Sequence, residues 1–283
     1  MYEGQQISGG FGYSNMSFGE KVSASIALTK RHGLSIFLTM VVIWLVLIVF
    51  SFVGSMIFGG AIMMMAGGGY SSGSQFPIGA ILGMIVFYLA YCLLSFYFMI
   101  GVFSLILKYV DGVPPEGGIV NQVLSPWHNF FPLLLCVIVW MVLIFVFSFI
   151  LGILNIIPIL GFLIMIAGMF ILSMVMTCAI MFMSDKLRPG IAEAITTPIM
   201  VVKDNFLKWL VAVVVSGVVY LPGIIVMGVV MALAGSSTAV MILGWLLAMV
   251  YFAAASIFVF VFFAVTYRQT YGGGLDSVVD QVF

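Results

Sequence analysis

Six stretches of this chain, Leu34–Ile57, Gly79–Leu107, Phe130–Leu154, Ile159–Met183, Leu207–Ala234 and Ala239–Tyr267, are apolar on every face and contain at most one charged side chain each. A helix crosses a hydrocarbon core of about 30 Å with about 20 apolar residues, so each stretch is long enough to span a bilayer. Strands are a poor fit, because barrel segments alternate apolar and polar residues over about 10 positions. Composition points the same way. Only 6% of the residues are charged and 64% are apolar, against roughly 25% charged in a soluble domain. The 9 basic and 9 acidic residues balance, which leaves no net field to attract nucleic acid or another polyanion. The first apolar stretch follows 33 mostly polar residues and has no small-residue cleavage site, so a cleaved signal peptide is not expected.

The fold class expected is an all-α integral membrane protein with six transmembrane helices. Lys21, Lys30 and Arg31 precede span one, Lys108 follows span two, and Lys186, Arg188, Lys203 and Lys208 lie between or beside spans four and five. Arg268 follows span six. With six spans all of these fall on one side, and the opposite loops carry no charge. Basic loops stay cytoplasmic, so both termini are expected inside, in a multi-pass protein of the cell (inner) membrane.

The spans also look repeated. Three times, in units of approximately 18–112, 117–185 and 190–272, an amphipathic segment, a polar pair and a two-span hairpin follow one another. The polar pairs are His32-Gly33, His128-Asn129 and Asp204-Asn205. His32 to Trp44 and His128 to Trp140 are both twelve residues, and related apolar runs follow each tryptophan. The third unit is more diverged, with Ser216 in the place of Trp140. Residues 1–17 read as a flexible tail and 273–283 as a short amphipathic one, with Leu275, Val278, Val279 and Val282 opposed to Asp276 and Asp280.

The amphipathic segments can be read individually. Ser17 and Glu20 have capping-box spacing. Val22, Ile26 and Thr29 should share a buried face, with Glu20, Lys21 and Lys30 toward water. Ile191, Ile195, Ile199, Val202 and Phe206 recur at helical spacing, and Pro198 within that run predicts a break or kink. Gly118, Gly190 and Gly274 open such segments. These helices either lie in the membrane interface or pack against the bundle as joints.

The stretch Ser184-Asp185, the run Ala194–Lys203 leading to Asp204-Asn205-Phe206, and the close at Tyr267-Arg268 resemble a broad group of bacterial and archaeal membrane proteins. That group includes uncharacterised six-span proteins and the membrane domain fused to some glycerophosphodiester phosphodiesterases. The resemblance covers roughly residues 117–272 and implies an all-helical six-span body. It implies no catalytic residues, and no phosphodiesterase domain is expected.

Chemistry-bearing motifs are few. Ionisable groups inside spans are the usual mark of transport or proton relay, and here they stay at the span edges. Gly69-Tyr-Ser71-Ser-Gly73 matches a nucleophile elbow only formally, without the strand–turn–helix setting or partners that motif needs. Cys92, Cys136 and Cys178 have no paired spacing and read as core thiols. Met63, Met64 and Met65 offer soft ligands but cannot share one helix face. Under a threefold arrangement His32, His128 and Asp204 would be equivalent, and two His with one carboxylate can form a metal triad. The competing reading has them satisfying free amides where a helix starts, about 15–20 Å apart by helix-packing distances. No cofactor is expected.

Small residues let membrane helices approach closely. Gly79-x-x-x-Gly83, Gly161 with Gly168, and Ala253-Ala254-Ala255 are packing candidates. Pro222 and Gly223 are the candidate hinge or gate, and with Ser216 and Gly217 they mark span five as the expected most buried helix. Trp127 and Trp209 are the expected interface anchors. The function expected is non-enzymatic: a scaffold or accessory subunit that contacts the lipid bilayer and docks a protein partner at its cytoplasmic face. The alternative is a channel or permease for a neutral or lipid-like molecule. A membrane-embedded enzyme would need a catalytic cluster that the spacing does not provide.

Overall fold

A computed structural model describes residues 16–66, 78–115, 117–154, 158–233 and 238–271. They form eight helices: α1 (Phe18–Ala66), α2 (Ile78–Val110), α3 (Ile119–His128), α4 (Phe130–Leu154), α5 (Pro158–Asp185), α6 (Ile191–Asp204), α7 (Phe206–Leu233) and α8 (Thr238–Tyr271). Six of them, α1, α2, α4, α5, α7 and α8, are long and apolar enough to cross a membrane.

The helices form an inner trio and an outer trio. α2, α5 and α8 touch one another; α1 lies against α2 and α8, α4 against α5 and α2, and α7 against α8 and α5. The short α3 rests on α2 and α4, and α6 on α5, α4 and α7. Burial is concentrated at one end of this bundle. The core runs from Tyr97 to Val110 in α2, from Met174 to Ser184 in α5 and from Ala255 to Gln269 in α8. The opposite halves expose Leu82, Ile85, Val86, Phe162, Leu163, Ile242 and Leu243, side chains that suit contact with lipid. The buried end is also the charged end, since Asp111, Asp185 and Arg268 stand where α2, α5 and α8 reach it.

Local chemistry sets the boundaries. At the start of α1 the capping box closes as the spacing predicts: the Ser17 backbone N–H donates to Glu20 Oε2 (2.7 Å) and the Glu20 N–H to Ser17 Oγ (3.4 Å). Gly118 and Gly190 are the N-cap residues of α3 and α6; Gly274 lies outside the described residues, as do both tails and the Gly69–Gly73 stretch. Asn129 separates α3 from α4 at φ −116°, ψ 36°, and Asn205 separates α6 from α7 at φ −121°, ψ 33°. Each asparagine closes one helix and accepts the first turn of the next through its carbonyl: Asn129 O from Leu133 N–H (3.2 Å), Asn205 O from Trp209 N–H (3.2 Å). No such break occurs at His32-Gly33. There α1 runs unbroken for 49 residues, so the first amphipathic segment and the first span are one rod of roughly 73 Å at 1.5 Å per residue.

Several sequence expectations need correction. α6 does not break at Pro198; it continues to Asp204. Proline cannot donate to the carbonyl four residues back, which is that of Ala194. The Trp140 indole Nε1–H, from α4, donates to this carbonyl at 3.0 Å, so a neighbouring helix supplies the missing donor. The buried face of α6 is Ala194, Pro198 and Val202, leaving Ile191, Ile199 and Phe206 exposed. In α1 Glu20 and Lys30 are exposed and Val22 packs against the core as expected, but Lys21 (4% exposed) and Ser25 face the bundle and Ile26 is 41% exposed. Lys21 turns inward to the polar end of α8, its ammonium 3.5 Å from Thr266 Oγ1. Span five is not the most buried. Of its most apolar 18-residue stretch 11% is buried, against 44% in α2 and 39% in α8. Small residues permit close approach but do not make a helix central.

Candidate functional site

The best-organised polar cluster among the described residues lies where the inner trio ends. Each of these helices delivers one ionisable side chain there: Asp111 after α2, Asp185 closing α5 and Arg268 near the end of α8. The Arg268 guanidinium donates Nε–H to Asp111 Oδ1 (2.8 Å) and Nη2–H to Asp111 Oδ2 (2.6 Å). It also donates Nη1–H to Asp185 Oδ2 (2.7 Å) and Nη2–H to Asp185 Oδ1 (2.8 Å). Two carboxylates are thus held side by side on one planar fork, the geometry for which arginine is better suited than lysine. Tyr267 adds its hydroxyl to Asp185 Oδ2 at 3.2 Å.

The chain positions these groups by specific local devices. Beyond α2, Gly112 N–H donates to Tyr109 O (3.3 Å) and Val113 N–H to Lys108 O (2.9 Å), the paired bonds of a Schellman motif. Gly112 takes φ +70°, a left-handed conformation that costs other residues about 1–2 kcal/mol. This stop leaves Asp111 just beyond the last residue of α2, turned toward α8. Higher in α2, Gly101 has the Val123 carbonyl oxygen of α3 where a Cβ would come within 2.1 Å, and Gln122 Nε2 donates to Ser104 Oγ (2.7 Å). α3 therefore seats directly on α2 and steadies the end that carries Asp111.

The cluster is largely withdrawn from water, with side-chain exposures of 9% for Arg268, 18% for Asp111 and 23% for Asp185. Burial pushes the Asp111 carboxyl above the usual carboxylate range, and the Arg268 charge beside it only partly offsets this. One cation against two anions leaves the cluster with a net negative charge. Chemically it is a lock: it fixes the ends of three helices and holds no exposed nucleophile.

The other residues singled out in the sequence are dispersed. His32 stacks on Tyr109 with ring centroids 4.1 Å apart, inside α1 rather than at a helix start. His128 ends α3, beside Arg188, and Asp204 ends α6 in an exposed position. They share no site, and among the described residues no three His, Cys, Asp or Glu are grouped to hold a metal. Trp209 is not an interface anchor. It is fully buried against Phe263, at 6.2 Å, because it sits one helical step round from Lys208 and points inward. Trp127 is at the surface, tilted over Tyr97 at 5.1 Å. Pro222 lies within an unbroken α7. A Cβ on Gly223 would come within 2.7 Å of Tyr251 and 2.9 Å of Phe252 in α8, so this position is a packing contact.

No family model matches the chain, and neither the curated proteins nor the solved structures give a match.

Proposed function

We propose that this is a non-enzymatic membrane protein with both termini cytoplasmic, whose locked charged end docks a protein partner at the cytoplasmic face. The observation that carries the reading is the contrast in charge at that end. The Arg268 lock withdraws its own charges from water, while the exposed cations Lys30, Arg31 and Lys203 have no carboxylate partner among the described residues. A fixed helix framework that presents unpaired positive charge favours an acidic partner through complementarity and steering. The tight seat of Gly223 against Tyr251 and Phe252 speaks against a gate at Pro222 and so against the permease alternative.

The same reading accounts for the architecture as three repeated units. An outer helix and an inner helix recur three times, with Asn129 and Asn205 as matched elbows and α1 as a unit whose elbow has straightened. Asp111, Asp185 and Arg268 then occupy equivalent positions on a pseudo-threefold axis. Of the stretches that carry the resemblance to the membrane domain of some phosphodiesterases, Ser184-Asp185, Ala194–Lys203 leading to Asp204-Asn205-Phe206, and Tyr267-Arg268, the first and last supply the lock's Arg268–Asp185 pair, 83 residues apart.

The test is extraction into native lipid discs, weighing of the particle and identification of bound proteins by mass spectrometry. The expected result is a stoichiometric partner that is lost from the Arg31→Glu, Lys203→Glu double variant. A lone protein with one enriched small molecule would overturn docking in favour of transport. Orientation is tested separately: a cysteine at position 203 should react with an impermeant maleimide only after the membrane is opened.

A further inference from the structure

The elbow between α3 and α4 carries a second arrangement that the docking reading does not use. Trp127, His128, Asn129, Phe130, Phe131 and Pro132 together with Arg188 line an open cleft of about 350 Å³, at the small end of the range for ligand sites. We propose that this cleft seats the phosphodiester headgroup of an anionic phospholipid, with Arg188 as its cation.

Arg188 is the one cation among the residues that line this cleft. It is exposed, and no carboxylate among the described residues pairs with it. It is nevertheless held in place, because its Nε–H donates to Asn129 Oδ1. Asn129 is itself fixed as the residue that ends α3, with its backbone N–H on Pro126 O at 3.0 Å. Anchoring Nε leaves the Nη1 and Nη2 groups, with four N–H donors, directed away from the asparagine. That end of the fork matches two oxygens of a phosphate. The His128 ring adds a further polar group on the same rim.

The rest of the wall is suited to a lipid. Trp127 and Phe130 stack at 5.9 Å, Tyr97 packs against both at 5.1 Å, and the Tyr97 hydroxyl donates to the Phe130 carbonyl. Phe131 stands edge-on to Phe130 and is 75% exposed, and one turn further along α4 Leu135 is 52% exposed. The cleft therefore opens onto the apolar surface of a membrane-length helix just where that helix begins. A soluble phosphate would gain nothing from this wall, whereas a phospholipid places its phosphate at the cation and its chains along α4. Basic pockets beside membrane helices recognise headgroups in this way, and aromatic rings settle at that depth.

The inference does not depend on a protein partner and is tested separately. Purified full-length protein in mild detergent is titrated with phosphatidylglycerol or phosphatidylcholine, and bound lipid is counted by native mass spectrometry. One phosphatidylglycerol per chain should bind about tenfold more tightly than phosphatidylcholine, which carries the same phosphodiester but adds a choline cation that the Arg188 guanidinium repels. Arg188→Gln should erase that preference and Lys203→Gln should keep it. Because Arg188 is exposed, its variant should fold, which an unchanged elution profile and thermal transition check. Retention of the preference in Arg188→Gln overturns the proposal. So does equal displacement of the lipid by inorganic phosphate, which would make the cleft a site for the free anion.

Discussion

Replacing Arg268 by methionine removes the one cation of the lock and keeps most of its volume. Four N–H···O contacts disappear, and Asp111 and Asp185 are left side by side with less than a quarter of either side chain exposed. Breaking a buried ion pair from one side costs about 3–5 kcal/mol. The two carboxylates cannot both stay ionised at close range, so one takes up a proton, and the lower half of that range is expected at neutral pH. At about 2–4 °C per kcal/mol for chains somewhat smaller than this one, the thermal midpoint in detergent should fall by roughly 10 °C. The pH dependence has a definite sign. A carboxyl whose folded pKa is raised binds its proton more tightly when folded, so its ionisation destabilises the fold as pH rises above the unfolded value. Burial already raises Asp111 in the wild type, and loss of the Arg268 charge that opposes this moves it further up. The deficit of Arg268→Met should therefore shrink as pH is lowered from 7 toward 5. Adding Asp111→Asn and Asp185→Asn should recover most of the loss, since what is costly is the uncompensated charge. The assay is thermal unfolding followed by the fluorescence of the buried Trp140 and Trp209. The reasoning is refuted if Arg268→Met loses no more than the exposed control Lys203→Met, or if the triple variant is as unstable as the single one.

Other outcomes follow from the same structure. Trp140→Phe should cost about 1–3 kcal/mol by leaving the Ala194 carbonyl buried without a donor, and Pro198→Ala in that background should restore stability by returning the helical N–H; a double-mutant cycle of thermal midpoints measures this. Gly101→Ala sets a Cβ within 2.1 Å of the Val123 carbonyl oxygen, so α3 must shift, and faster proteolysis at residues 117–129 should report it. Lys21 is buried with its ammonium 3.5 Å from Thr266 Oγ1 and 5.5 Å from the Phe262 ring, with no carboxylate partner among the described residues. Lys21→Met should raise the thermal midpoint, by about 1 kcal/mol of stability, because a buried charge without a counterion is unfavourable.

The elements were largely legible in the chain, and the site was not. Apolar length marks six membrane-length helices, and Ser17 with Glu20, Gly118 and Gly190 mark where segments begin, because these signals act within a few residues. The spacing marks Asn129 and Asn205 as edge residues, but their nearly equal backbone conformations at the breaks between helices come only from the fold. The lock joins Arg268 to partners 157 and 83 residues away, a separation at which no spacing rule operates. His32, His128 and Asp204 are matched by spacing in the chain, but they lie within α1, at the end of α3 and at the end of α6 and share no site. Convergence happens at the ends of the inner helices, and deciding which helices are inner requires the packing. The inward polar stripe of Lys21 and Ser25 was missed for a related reason: beside a membrane, a helix can turn polar groups inward and apolar groups outward.

The position of Arg268 in the chain also bears on how the protein is made. Asp111 and Asp185 are synthesised first, and their only counterion in the lock arrives with the last span. A chain that stops short of Arg268 brings the two acids toward one point without their cation, and so cannot close the lock.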